Sequence, residues 1–413
     1  MATVIPFRGW MPRSKYAHSI ASRPFESYTK GEIDNILQQV PESFLHVIMP
    51  QISHESSTLT YEEKLHAGKN QFDTFCQKQI FEQDENPCYY IYRQTRDNFT
   101  YTGIVAAIAV DDYLNGIIKP HEHTIEHKEN KLKHYLEILQ INAEPVIITY
   151  TPHLTLQRFL NERMLEPAFL HFQYEDFGLH EVWKISTQNE IDFVKSCFSE
   201  TKNLFIADGH HRTGSSALLA QEKRKENPNY TGNEPYNYFM GILLPSEHIQ
   251  LHEFNRMIFD VNGIEIEKLI EQLSNTFYIE HHTSYPGLST HPACFAMYIE
   301  SGWYSLQLRP EIYQQISEDS VLPTSILSDY LLSPVFNIHD LRKDKRIGFK
   351  GGKTEPILFE NMVKQGNVKA VFIVNKISIS ELERFASKGW FMPPKTTYFE
   401  PKLLNGLFIY SLT

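Results

Sequence analysis

Asn203-Leu204-Phe205-Ile206-Ala207-Asp208-Gly209-His210-His211-Arg212-Thr213-Gly214-Ser215-Ser216 is the stretch on which the reading of this chain turns. Leu204 to Ala207 is an apolar run of buried-strand type, and Ser215 through Ala217, Leu218, Leu219 and Ala220 begins a helix. A strand that turns sharply into a helix aims free backbone N–H groups and the positive end of the helix dipole at one point. Gly209 permits close backbone approach, and Arg212 adds a forked donor, so the turn can seat a phosphate or carboxylate. Each residue also has a purely structural reading. Asp208 can cap the helix, Arg212 can pair with a surface acid, and the histidines can fill core. Five consecutive polar or special residues at such a junction favour a site.

Composition bounds the alternatives. The chain has 413 residues, 41% hydrophobic and 22% charged, enough for two or three globular domains. With 39 basic and 50 acidic residues its net charge is -11, which argues against a nucleic-acid surface but leaves room for a local basic pocket. No apolar run reaches membrane-span length, and Met1 to Arg13 lacks a signal-peptide pattern. Cys76, Cys88, Cys197 and Cys294 are widely spaced without a CxxC pair, so the expected setting is a reducing cytoplasm. The sequence does not set the oligomeric state.

Strands and helices alternate along the chain. Helices are expected at 29–39, 61–81, 129–141, 155–164 and 190–198, and strands at 44–49, 88–93, 101–110 and 145–150. A hairpin is expected from 169–174 and 182–186 around Gly178, and the strand at 238–244 is a candidate neighbour of 204–207. Later come helices at 264–275, 324–332, 356–364 and 378–387, with strands near 294–299, 304–308, 370–375 and 407–411. The pattern gives an α+β fold, with a mixed sheet and flanking helices over residues 1–245 and a smaller α+β module over 246–413.

Three further segments carry candidate chemistry. Lys119-Pro120-His121-Glu122-His123-Thr124 reads as a loop closing a strand; in an extended chain His121 and His123 share one side and Glu122 faces the other. With His210 and His211 they offer a divalent-metal set, although the spacing matches no zincin helix or finger; a loop in which Thr124 caps the next helix is the alternative. Gly389-Trp390-Phe391-Met392-Pro393-Pro394-Lys395-Thr396-Thr397-Tyr398-Phe399 holds Lys395 and two hydroxyls on a proline-stiffened loop suited to phosphate, with aromatics able to stack a purine or to fill core. Arg346, Lys350, Gly351, Gly352 and Lys353 form a basic glycine-rich loop read chiefly as solvated. The 208–212, 121–124 and 395–396 segments are expected to line one cavity, and the C-terminal module to contribute a loop to it.

Asp208-Gly209-His210-His211-Arg212 resembles the phosphate-binding turn of the ParB and sulfiredoxin superfamily, and its two histidines resemble that superfamily's free-serine kinases. Over its length the chain is similar to the domain-of-unknown-function 1015 family. The matching segments are Ile5-Pro6-Phe7-Arg8-Gly9, Gly116 to Thr124, Ile206 to Arg212 and Met392 to Leu407. Where the family shows Pro-Pro-Tyr-Asp, this chain has Arg23-Pro24-Phe25-Glu26; downstream of Thr124 it keeps Lys128 but loses an Asp-Arg pair. The resemblance implies a ParB/sulfiredoxin-like nucleotide-binding core and a phosphotransferase using ATP or ADP with Mg2+ on a small hydroxylated metabolite such as an amino acid. The implied cofactor contacts are Asp208, Gly209, His210, His211, Arg212, Thr213, Lys395 and Thr396, with Asp208 also touching the metal. Glu26, Glu122, His211 and Lys395 are the expected catalytic groups, and Arg8, His121, His123 and Tyr398 the expected substrate contacts. A non-catalytic nucleotide sensor and a metal-dependent hydrolase built on the histidines are the alternatives.

Overall fold

The computed structural model describes residues 1–49 and 58–413, and the side chain of Glu26 lies outside what it describes. Two compact units emerge: residues 1–249 with 401–413, and residues 250–400.

The first unit is organised by a nine-stranded mixed sheet. Its strands are β1 (Val4–Ile5), β2 (Tyr89–Arg96), β3 (Phe99–Ala109), β4 (Ile118–Lys119), β5 (Val146–Tyr150), β6 (Leu170–Tyr174), β7 (Gly178–Ile185), β8 (Leu204–Asp208) and β9 (Tyr238–Pro245). The spatial order is β4-β8-β5-β9-β3-β2-β7-β6, with β1 paired to β3. β8 runs parallel to β4, β9 runs parallel to β5, and the remaining pairs are antiparallel. The near-continuous apolar strands β5, β8 and β9 are buried along most of their length, as central strands covered on both faces must be. The β2–β3 hairpin turns through Asp97 and Asn98, both at positive φ, the geometry that matches the twist of its strands.

Three helices matter to the site: α1 (Tyr61–Gln77), α2 (Glu126–Leu139) and α3 (His210–Glu226). α1 begins with a complete capping box between Thr60 and Glu63. α3 packs closely on α2: a Cβ at Gly214 would lie 1.9 Å from the Glu129 carboxylate, so glycine is what lets that side chain approach the helix.

Two expectations are corrected here. The stretch at 44–49 is not a strand; Leu45–Ile48 is a short helix whose Leu45, Val47 and Ile48 join Phe44, Phe72 and Phe75 in a core. A run this short and uniformly apolar has no periodicity to separate helix from strand. Nor do 238–244 and 204–207 pair directly, because β5 lies between them.

Gly178 opens β7 at φ 87, and a Cβ there would fall 2.1 Å from the Thr95 carbonyl oxygen. Strain and overpacking together should cost Gly178→Ala about 3 kcal/mol of unfolding free energy, measured in urea. A loss below about 1 kcal/mol would mean that the hairpin relaxes freely around this position.

The second unit is built on a six-stranded antiparallel sheet: β10 (Phe254–Ile258), β11 (Phe277–His282), β12 (Cys294–Ile299), β13 (Gly302–Leu308), β14 (Ile347–Gly351) and β15 (Ala370–Ile373), ordered β11-β13-β12-β15-β10-β14. Separate apolar clusters contain Ile258, Phe295 and Phe372 on one side and Met257, Ala296 and Val371 on the other, as strand alternation requires. The expected helix at 324–332 is Pro323–Leu327 continued by a π-helical turn, Ser328–Leu332. The protein is therefore α+β with a large mixed sheet. All four cysteines are free, and among the described residues no helix is long and apolar enough to cross a membrane.

Candidate functional site

β8 ends at Asp208, Gly209 follows at φ 105, and α3 starts at His210. The register of β8 against β5 shifts between Ile206 and Asp208, an irregularity of the kind that re-aims a side chain at a strand end. Gly209 is the N-cap, and no side chain caps the helix. The reading of Asp208 as a cap is thereby overturned: its carboxylate turns instead to Lys402, whose Nζ lies 3.0 Å from Oδ2.

This turn opens into a cavity of about 570 Å3, within the range that suits a small-molecule ligand. Its lining includes Asp208, Gly209, His210, His211, Arg212 and Glu122, together with Lys402 and Asn405 from the C-terminal segment of the same unit. Among the described residues, four cations, Lys128, Lys131, Arg212 and Lys402, line it against three acids, Glu122, Glu144 and Asp208. The lining also includes the aromatic and apolar side chains of Phe25, Met49, Tyr61 and Tyr135. Lys131 places its ammonium 5.1 Å from the Tyr61 ring centroid.

Arg212 is fixed by short ties. Nη1 donates to the Pro145 carbonyl at 2.7 Å, and the guanidinium lies 3.6 Å from both Glu144 and Asp208. A Cβ at Gly209 would meet Arg212 Nε at 3.0 Å, so the glycine provides room for the arginine as well as the turn. Burial would raise the Asp208 carboxyl, but the charges of Lys402 and Arg212 outweigh it and hold the group well below the usual carboxylate range.

The histidines do something the sequence did not suggest. His210 Nε2 accepts from the backbone N–H of His121 at 3.3 Å, and His211 Nε2 accepts from that of Ile125 at 3.1 Å. The rings of His121 and His210 meet edge to face, 4.4 Å apart. The pair thus fastens the 121–125 loop to the start of α3. Burial, offset in part by a bond to Ile206 and the charge of Asp208, pushes the His121 imidazole down to about 4; burial and the neighbouring His121 hold His210 well below its ordinary value. Both are neutral at pH 7.

Several expectations change accordingly. A bend at 121–122 sends His121 inward and leaves His123 exposed, so the two do not share a side. Thr124 does not cap α2, whose N-cap is Ile125 without a side-chain cap. The two ring nitrogens facing the loop already accept hydrogen bonds, and among the described residues no three His, Cys, Asp or Glu side chains are placed to hold a metal. His121, His123, His210 and His211 therefore form no metal-binding set among the described residues. Asp208 is a poor fit for magnesium, since Lys402 and Arg212 already occupy its surroundings.

The other named residues fall as follows. Thr213 is buried and donates to the Gly209 carbonyl, inside the helix. Arg8 is held at the Asp84 carbonyl, 3.0 Å away. The neighbours of Glu26, Pro24 and Phe25, line the cavity. Lys395, Thr396 and Tyr398 belong to the second unit. There Lys395 sits over the Phe254 ring, and Thr396 bonds Thr324 and Pro393. The segment read as a basic loop is largely strand β14, which ends at Gly351; the Tyr398 ring takes the space over Gly351 and Gly352, which explains these glycines. Lys402 is not singled out from sequence, although it stands within the Met392 to Leu407 segment that carries the family resemblance.

Residues 4–326 match the model of the family described as protein of unknown function, DUF1015. The chain belongs to that family. No curated protein matches it. Among solved structures it is similar to a free serine kinase in complex with AMP, at 13% identity and TM-score 0.36 over 71% of this chain and 86% of that one. It is also similar to a C-terminally truncated SbnI from Staphylococcus aureus, at 13% and 0.37 over 73% and 85%. A conserved hypothetical protein from Pyrococcus furiosus stands at 13% and 0.34 over 71% and 90%. At these scores the DUF1015 assignment rests on the family match alone.

Proposed function

We propose that the cavity at the start of α3 binds the phosphates of an adenine nucleotide, ATP or ADP, and that the protein is a phosphotransferase for a small hydroxylated metabolite. The observation that carries this reading is the convergence of an uncapped helix N-terminus, Gly209, Arg212 and Lys402 on one cavity. Uncapped N–H groups, a forked cation and a mobile point charge are the three kinds of donor that phosphate recognition uses. Phosphoryl transfer needs little more from a protein than positioning, charge neutralisation and one base.

Asp208 acts as an internal counter-ion that holds Lys402 in place until the anion arrives. Charge neutralisation is assigned to Lys402. Glu122, which lines the same cavity, takes the proton of the acceptor hydroxyl, with Glu26 as the other candidate by its position beside Pro24 and Phe25. The aromatic end around Tyr61 and Tyr135 receives the base. No protein ligand for magnesium is proposed, since Asp208 does not suit the role.

Lys402→Met is the sharpest test of the Lys402 role. It should weaken ADP binding at least about tenfold, the worth of one charge-assisted contact, while leaving the melting temperature within a few degrees. Unchanged ADP affinity in calorimetric titration would remove Lys402 from the phosphate site. Binding of nucleotide without phosphate transfer to any of a panel of hydroxylated metabolites would favour a sensor over an enzyme.

A further inference from the structure

The second unit holds a cation for which no acid among the described residues supplies a counter-charge. Arg256, on β10 between β14 and β15, is fully buried. Its Nη1 donates to the Phe254 carbonyl, while Nε and Nη2 have no hydrogen-bond partner among the described residues. The guanidinium lies 5.3 Å from the Phe349 ring centroid, on the next strand. A guanidinium stays charged, and an unpaired buried charge is among the most costly features a fold can carry. Retaining one points to an anion that arrives from outside the unit.

A second cation meets the same residue at its ring. Lys395 Nζ sits 5.1 Å from the ring centroid of Phe254, whose carbonyl Arg256 holds. Lys395 adopts φ 60, a left-handed conformation that costs energy for a residue with a Cβ and persists only where its surroundings fix it. Thr396, next in the chain, does the fixing. It is buried, and its hydroxyl lies 2.8 Å from that of Thr324 and 2.7 Å from the Pro393 carbonyl. Lys395 itself is exposed.

We propose that Arg256 and Lys395, converging on Phe254, form a second anion site within residues 250–400, for a ligand bearing a terminal phosphate or carboxylate group. The two free nitrogens of Arg256 match two oxygens of such a group, and Lys395, over the Phe254 ring, supplies a point charge. This proposal stands apart from the cavity at α3 and does not depend on it.

The test uses the full chain carrying Arg212→Ala, so that the α3 cavity is weakened as a phosphate site, and reads melting temperature against inorganic phosphate and, separately, malonate. Salting-out by either anion is common to every variant and cancels in the comparison. In the Arg212→Ala background one of the two anions should raise the melting temperature saturably. Adding Arg256→Met should weaken that apparent affinity at least tenfold, and adding Lys395→Met severalfold. A response to phosphate alone identifies a phosphoryl ligand, and a response to malonate alone a carboxylate. Should Arg256→Met fail to fold, exposed Lys395 decides the matter. The proposal is overturned if neither anion acts saturably, or if the response is the same in every variant that folds.

Discussion

Arg212→Ala should reduce ADP affinity by about 100-fold or more. The variant removes a forked cation that would make two charge-assisted hydrogen bonds to phosphate, each worth about 1.5–3 kcal/mol, and a loss near 3 kcal/mol corresponds to a factor of about 150. The fold should survive. Arg212 ties the start of α3 to the Pro145 carbonyl, but Pro145 borders the cavity, where water can replace the lost donor. The expected loss of stability is therefore only about 1 kcal/mol. Arg212→Lys, which keeps the charge and loses the fork, should fall between wild type and alanine. If the alanine variant binds ADP as wild type does and merely melts earlier, Arg212 is a tether between Pro145 and Asp208 and nothing more.

The second large effect is on pH-dependent stability, and it comes from the histidines. His121 is held neutral, its folded value pushed down to about 4 from an unfolded value near 6.5. The unfolded chain therefore binds more protons between these limits. Stability is complete above about pH 6.5 and falls as the pH drops toward 4, by about 3 kcal/mol from His121 alone, with His210 acting in the same direction. Asp208, whose carboxyl is depressed, acts lower: its contribution is present above the ordinary carboxylate value and is lost only in stronger acid. Urea midpoints measured from pH 7 to 4.5 should fall steeply for wild type. They should fall less for the double variant His121→Gln, His210→Gln, whose amides do not titrate. Parallel curves for the two proteins would show that these imidazoles are not held neutral by burial.

Much of the first unit could be read in the order of residues, because long periodic or strongly apolar segments leave little choice. β8 and α3 are the clearest case, since Leu204 to Ala207 can only be buried and the Gly209 turn can only end a strand. The α+β class followed from the same alternation. What the order of residues hid was partnership. Asp208 looks like a helix cap in one dimension and becomes the counter-ion of Lys402, 194 positions away, in three. His210 and His211 look like ligands or acid–base groups, yet their Nε2 atoms are taken by the backbone of residues 121 and 125. Imidazole serves metal, proton and backbone N–H with the same lone pair, so spacing alone does not choose among them. Lys395 and Lys402 posed the opposite difficulty. Prolines and hydroxyls drew attention to Lys395, while Lys402 stood between Pro401 and Leu403 with no local pattern to mark it. The buried Arg256 had no sequence signal at all, since one arginine in a strand reads as an exposed position until the sheet is covered.

The measurement that bears most directly on the phosphate site is the response of backbone amides at the start of α3 to ADP. In a titration followed by amide resonances of the full chain, Gly209, His210 and His211 should move downfield and saturate with ADP, because their N–H groups would donate to phosphate oxygens. Adenosine, which lacks phosphate, should leave them in place while still perturbing residues around Tyr61 and Tyr135. ADP that fails to move these three amides, or adenosine that moves them equally, would contradict the assignment of this turn as the phosphate seat.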